Sequence, residues 1–153
     1  MNTYCVGQGS QVLLPDFTEK PIEDVVDGDG VLTYDRAEKQ HKETKVINVS
    51  HRYLTGKIYK IYINNRKLSI TDDHKIASKN GTRAGWITPE SMFEKGTAKL
   101  SVHGMDPHNP TQEYVSIDKI EYVDFEGDVY NLETEDGTYI VNCILVQDCK
   151  ISE

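Results

Sequence analysis

Apolar and polar residues alternate with a period of two along much of this chain. Val46-Ile-Asn-Val-Ser-His51-Arg-Tyr53 and Lys57-Ile58-Tyr59-Lys60-Ile61-Tyr62-Ile63 both show it, the spacing of strands that bury one face. The same reading predicts strands at residues 12–14, 31–34, 98–102, 114–123, 128–134 and 139–146. Asn80-Gly81 and Asp136-Gly137 are hairpin signals, because Asn, Asp and Gly accept the left-handed backbone of tight two-residue turns. One stretch differs. Thr88-Pro89-Glu-Ser-Met-Phe93, with Gly96 beyond, carries a threonine cap, a proline at the first helical position and a glycine stop, and so predicts a single short helix. The pattern as a whole predicts an all-β domain of about ten strands, its first and last strands flanking everything else.

At 153 residues the natural count is one domain with a proper core. The net charge of −8 argues against a nucleic-acid groove or an anionic membrane surface. No apolar run reaches the roughly 18 residues of a bilayer span, and no signal-peptide pattern opens the sequence. A cytoplasmic monomer without a cofactor is the expectation. Asp27-Gly-Asp-Gly30 is too short for a calcium loop and lacks its closing glutamate. His103 and His108, in a loop rich in Pro and Gly, read as surface histidines.

The candidate chemistry begins at Leu68-Ser-Ile-Thr71-Asp-Asp-His74. Alternation stops at Thr71, and two short carboxylates offer turn chemistry, so Thr71 and His74 sit where a strand end can aim them; Lys75 to Ser78 continues the strand. Taken alone, this is a strand running into a turn that holds a histidine. The three cysteines add to it: Cys5, Cys143 and Cys149 are odd in number and lack metal-ligand spacing, so neither a disulfide framework nor a zinc site is expected. Instead Cys5 and Cys149 bracket the domain.

Cysteines at both ends with Thr-x-x-His between them resemble an intein, and a minimal one. Cys5-Val-Gly-Gln-Gly-Ser, Ile22-Glu-Asp-Val-Val-Asp-Gly-Asp-Gly-Val31, Thr71-Asp-Asp-His74, Gly85-Trp86 with its following helix, Val129-Tyr-Asn-Leu132, and Asn142-Cys-Ile-Leu-Val-Gln-Asp-Cys149 are similar, in order, to the blocks of that family. The resemblance implies a Hint-type horseshoe with one or two short helices and adjacent terminal strands. It also implies residues 5–148 as a splicing domain without a homing endonuclease, with 1–4 and 149–153 as pieces of a host protein, the only partner, held in cis. The implied reaction is a single-turnover one. Cys5 converts the bond after Tyr4 to a thioester, assisted by Thr71 and His74; Cys149 takes over the acyl group; residue 148 releases Cys149; a sulfur-to-nitrogen shift joins Tyr4 to Cys149. Gln147, Asn131 and Asn142 stand at supporting positions.

Four departures qualify that implication. The family ends its domain His-Asn, where this chain has Gln147-Asp148; Asn131 stands where an aspartate is usual; the region around Asp136-Gly137-Thr138 lacks the family histidine; and Cys143 replaces a glycine. His74 is thereby left as the main acid–base group, unless His51 or Asp124 folds close. Cys143 reads as structural, with a regulatory disulfide to Cys5 as an alternative. Cleavage without ligation, a non-catalytic β-rich binding domain and a cysteine hydrolase acting in trans remain as other readings.

Overall fold

A computed structural model describes residues 5–148. Alternation becomes strand nearly everywhere it was predicted. The chain runs β1 (Val6–Gly7), β2 (Gln11–Leu13), β3 (Glu19–Pro21), a 3-10 turn (Ile22–Asp24), β4 (Gly30–Asp35), β5 (Gln40–Ile63), β6 (Arg66–Ile70), β7 (Ile76–Asn80) and β8 (Arg83–Ile87). Helix α1 (Pro89–Lys95) follows, then β9 (Lys99–His103), β10 (Gln112–Ser116), β11 (Lys119–Thr134), β12 (Thr138–Val141) and β13 (Ile144–Gln147). Residues 40–45 are the start of β5, paired along β4.

Two antiparallel sheets result. In the first, β11 pairs with both β1 and β5, β5 with β6, and β6 with β1, so four strands close on themselves and β4 extends the edge. In the second the order is β10-β9-β7-β13-β12-β2-β3, with β8 on β7. β5 and β11 stay paired from Tyr62 opposite Lys119 to Val46 opposite Thr134. Their alternation buries Tyr59, Ile61 and Ile63 on one face of β5, with Ile58 buried on the other, and across the next pairing Leu68 faces Ile61, both wholly buried. Each such side chain contributes about 1.5–3 kcal/mol relative to exposure. Asn64 and Asn65 turn β5 into β6 with φ of 51° and 63°, the left-handed pair that a two-residue hairpin demands. The helix forms as its caps dictate: Thr88 Oγ1 accepts from the Ser91 N–H at 3.2 Å, Gly96 takes φ 79°, and Met92 is buried against the core.

Two differences from the sequence reading bear on the site. Lys75 to Ser78 does not continue the strand ending near Thr71; after that turn β7 joins the other sheet, so residues 71–75 are the crossing between sheets. The terminal strands are not paired neighbours either. β1 lies in the first sheet and β13 in the second. Their ends are brought together by the crossing segment instead, because β1 and β13 each pair with a strand that leads into it, β6 and β7.

Candidate active site

Cys5 precedes β1 and is held by Thr71. The Cys5 N–H donates to Thr71 Oγ1 at 3.0 Å, the Thr71 N–H donates to the Cys5 carbonyl at 3.0 Å, and the Thr71 hydroxyl reaches the same carbonyl at 3.3 Å. The Val6–Ile70 pairing dictates this contact, since it sets the next residues of β1 and β6 opposite each other. A backbone N–H and carbonyl on one residue are thus fixed by another residue's side chain and backbone. One of these bonds holds the N–H of the peptide entering Cys5, and the other two hold the carbonyl of the peptide leaving it. Cys5 itself is buried with Ile58 and Val129.

Three residues on, His74 is buried and its Nε2 donates to the Gln147 carbonyl at 2.8 Å. A carbonyl only accepts, so this bond fixes the proton on Nε2 and leaves Nδ1 a lone pair in the neutral ring. Burial pulls the His74 pKa down to about 4, against hydrogen bonds to the Gln147 and Cys5 backbones and the charge of Asp73. The imidazole is therefore neutral at neutral pH. Asp73, read from sequence only as turn chemistry, is the carboxylate that supports it.

Asp148 is the third element. Its N–H donates to the Gly137 carbonyl at 2.9 Å, its Oδ2 accepts from the Thr134 N–H at 2.7 Å, and it is buried. The turn between β11 and β12 makes that seat: Gly137 takes φ 83°, and a Cβ there would lie 3.9 Å from Asp148 Oδ1. The sequence marked Asp136-Gly137 as a hairpin turn, but nothing local told that the turn cradles a carboxylate fourteen residues away from Thr134. Gln147 is half-buried, its N–H on the Lys75 carbonyl at 3.0 Å.

The structure thus brings Cys5, Thr71, His74, Gln147 and Asp148 together. Asn131 is buried on β11, one residue beyond the Tyr130–Val6 pair. Asn142 is structural: its Oδ1 accepts from the Gln11 N–H at 2.7 Å and its Nδ2 donates to the Lys67 carbonyl at 2.9 Å, at the left-handed turn before β13. Cys149 and residues 1–4 lie outside the described residues. His51 pairs with Asp128 at 3.4 Å and stacks on Tyr130, while Asp124 pairs with Lys57 on the exposed arm; neither has a contact with the five. Cys143 is a free buried thiol, and Arg66 Nη1 donates to its sulfur at 3.3 Å. His108 is exposed as expected, but His103 is not. It is 1% exposed, bonded to His41 at 2.8 Å and Ser101 at 2.9 Å, because β9 runs inside the second sheet. Among the described residues no cluster of His, Cys, Asp or Glu has the makings of a metal site.

Compared with known proteins, the chain matches no protein-family model and no curated protein. Its fold does match solved structures. The bacterial intein-like domain from Clostridium thermocellum superposes with TM-score 0.78 at 20% identity, covering 96% of this chain and 100% of that one. A DnaB intein from Synechocystis sp. PCC 6803 gives 0.74 at 17% identity, with 96% and 99% covered. The PabCDC21-1 intein gives 0.81 at 12% identity, with 97% and 100% covered. These likenesses establish the fold: an all-β Hint architecture, matched over 96–97% of this chain.

Proposed function

We propose that this chain is a minimal self-processing domain that cuts its own backbone after Tyr4 and after Asp148 and, through Cys149, joins the flanks. One observation carries the reading: the segment Thr71 to His74 is hydrogen-bonded at one end to Cys5 and at the other to Gln147. A protein that rearranges its own ends needs both held against one acid–base group, and here one strand crossing does that.

The chemistry follows from the atoms. Cys5 Sγ attacks the Tyr4 carbonyl. The S–C bond forms and the C–N bond breaks, and the amide nitrogen leaves only once protonated. A neutral His74 can take the thiol proton at Nδ1 and return it to that nitrogen, so no standing imidazolium is needed. Thr71 holds the N–H of the scissile bond in place. Tethering supplies the rest, since intramolecular reactions reach effective molarities of about 10⁵–10⁸ M. Cys149 then exchanges with the thioester. At the other end the Asp148 carboxylate closes on its own carbonyl, expelling the Cys149 nitrogen and leaving an anhydride for water to open. The freed amine attacks the thioester and restores an amide. Residues 1–4 and 149–153 are on this reading host flanks, acting in cis, and each chain reacts once.

Gln147-Asp148 favours a second reading, cleavage without ligation, since a carboxylate lacks the nitrogen through which asparagine cyclises. The experiment is the intact mass, followed over time and pH, of this chain placed between two folded reporter domains. A joined reporter pair plus a free 5–148 fragment is the expected result. Separated reporters without joining would select the cleavage reading, and an unchanged precursor with added thiol would overturn both.

A further inference from the structure

Away from the reacting ends, the β7–β8 hairpin overhangs the sheet it belongs to. β7 is in register with β9 at Ser78 opposite Leu100, while its pairing with β8 runs on to Asn80 opposite Arg83. On the other side α1 stops at Gly96, whose φ is 79°, and the chain enters β9 at Lys99. Between the hairpin tip and the α1–β9 connection lies an open cleft of about 490 Å³, within the size range of small-molecule sites. Small residues leave that room. Ala84, Gly85 and Ala98 line the cleft, and a Cβ at Gly85 would meet nothing within 4 Å.

The charge on this cleft is of one sign. Lys79, Arg83, Lys95 and Lys99 line it and no aspartate or glutamate does, in a chain whose acidic residues outnumber the basic ones 25 to 17. Composition alone predicts the reverse. Lys95 has a structural reason to be there, since it lies in the last turn of α1, where a cation favours the helix terminus. The other three, on the hairpin and β9, have no such reason. Among the described residues none of the four pairs with a carboxylate. Lys79 lies 5.4 Å from the centre of the Tyr114 ring, a contact that leaves its charge uncompensated. Cations gathered without counter-charge repel one another, and a multivalent anion between them reverses the sign of that interaction. Trp86 lines the same cleft and is 39% exposed, so a ligand can reach it; Arg36 lies 5.0 Å from its ring centre and brings a fifth cation to that end. A flat apolar side chain beside a cationic cleft suits a ligand with a planar ring at one end and negative charge at the other.

We propose that this cleft binds a small organic polyphosphate of nucleotide size, its phosphates among Lys79, Arg83, Lys95 and Lys99 and its ring against Trp86. Lysine ammonium groups meet phosphate as point charges and the Arg83 guanidinium as a fork. The net charge of −8 repels a long polyanion such as a nucleic-acid strand, whereas a compact anion meets chiefly the local field of the cleft. None of Cys5, Thr71, His74, Gln147 and Asp148 lines the cleft, so this site stands independently of the self-processing reading.

Trp86 makes the test local, because it is the chain's only tryptophan and its fluorescence reports this cleft alone. The full chain carrying Cys5→Ala and Cys149→Ala, which lacks both terminal thiols, is titrated with ATP and, separately, with inorganic triphosphate. ATP is expected to shift the tryptophan emission saturably at micromolar to millimolar concentration, and triphosphate to bind several-fold more weakly. Lys79→Gln and Lys99→Gln are each expected to weaken ATP binding about threefold to tenfold, and added salt to weaken it further. Lys67→Gln, which removes an exposed cation outside the cleft, is expected to leave it unchanged. Absence of any saturable shift with ATP overturns the proposal, as does equal weakening by all three substitutions, which would reduce the binding to diffuse charge. Triphosphate matching ATP would remove the ring from the ligand and overturn the nucleotide assignment. A short thymidine oligonucleotide binding more tightly than ATP would overturn it in favour of a single-stranded nucleic acid.

Discussion

His74 Nε2 donates to the Gln147 carbonyl across 73 positions of chain, so the ring that closes the strand crossing also grips the last strand. Each end of the chain then depends on a different residue of one short segment, and the two dependences are separable by mutation.

Thr71→Ala removes the oxygen that accepts the Cys5 N–H and reaches its carbonyl. Cleavage after Tyr4, induced by added thiol and read by mass, should fall by about ten- to a hundredfold, the usual worth of a positioned hydrogen bond at a reacting group. Release after Asp148 should change little. Equal losses at both ends would mean that Thr71 supports the fold rather than the bond.

His74 gives a pH signature. Its pKa falls from 6.5 unfolded to about 4 folded, so between those values the unfolded chain binds more protons. Stability is therefore full above about pH 6.5 and lost as pH falls toward 4, amounting to about 3 kcal/mol. His103, also pushed down to about 3 by burial, adds to the acid limb. Denaturant unfolding of a Cys5→Ala chain and of the same chain with His74→Gln isolates the His74 share. The glutamine variant should lose distinctly less stability between pH 6.5 and 4; parallel curves would mean the ring is not neutral and buried.

Asp148→Asn should speed release at the C-terminal end and alter its pH dependence, because an amide nitrogen replaces a carboxylate oxygen as nucleophile while the side-chain oxygen can still accept from the Thr134 N–H. Mass-resolved appearance of the C-terminal reporter is the readout. An unchanged or slower rate would mean that Asp148 is already the competent group in this seat.

The turn before β13 separates strain from bonding. Asn142 and Cys143 have φ of 49° and 65°, the pair that favours Asn-Gly. Cys143→Gly should leave stability equal or raise it by up to about 1 kcal/mol, relief of the left-handed backbone offsetting the lost contact to Arg66. Asn142→Ala loses two buried hydrogen bonds and gains strain, and should cost about 2–4 kcal/mol. Thermal melts of the two variants, moving in opposite directions or by clearly different amounts, check it.

Much of this was legible before the fold. Period-two alternation marked β5 and β11, and the Thr-Pro and Gly signals fixed α1, because these are local rules. Thr71 and His74 stood out as strand-end residues, and Cys5 and Asp148 through their family positions. What could not be read was which sheet each strand joins. Lys75 to Ser78 alternates as well after Thr71 as before it, yet belongs across the gap, a choice made by burial of Ile76 beside Val146 rather than by its own sequence. The same blindness hid Thr134 and Gly137, whose backbone groups, not side chains, seat Asp148, and it misplaced His103, whose polar loop neighbours masked a buried strand end.

The crossing at residues 71–75 has a consequence for timing. Cys5 and Thr71 are made first, and the Gln147 carbonyl that fixes the tautomer of His74 is made 73 residues after that ring. If Cys5 and His74 act as proposed, a growing chain carries its nucleophile long before it carries the group that sets its base. On the self-processing reading the scissors are therefore assembled by β13, and a chain made only as far as β12 is kept from cutting itself by geometry alone.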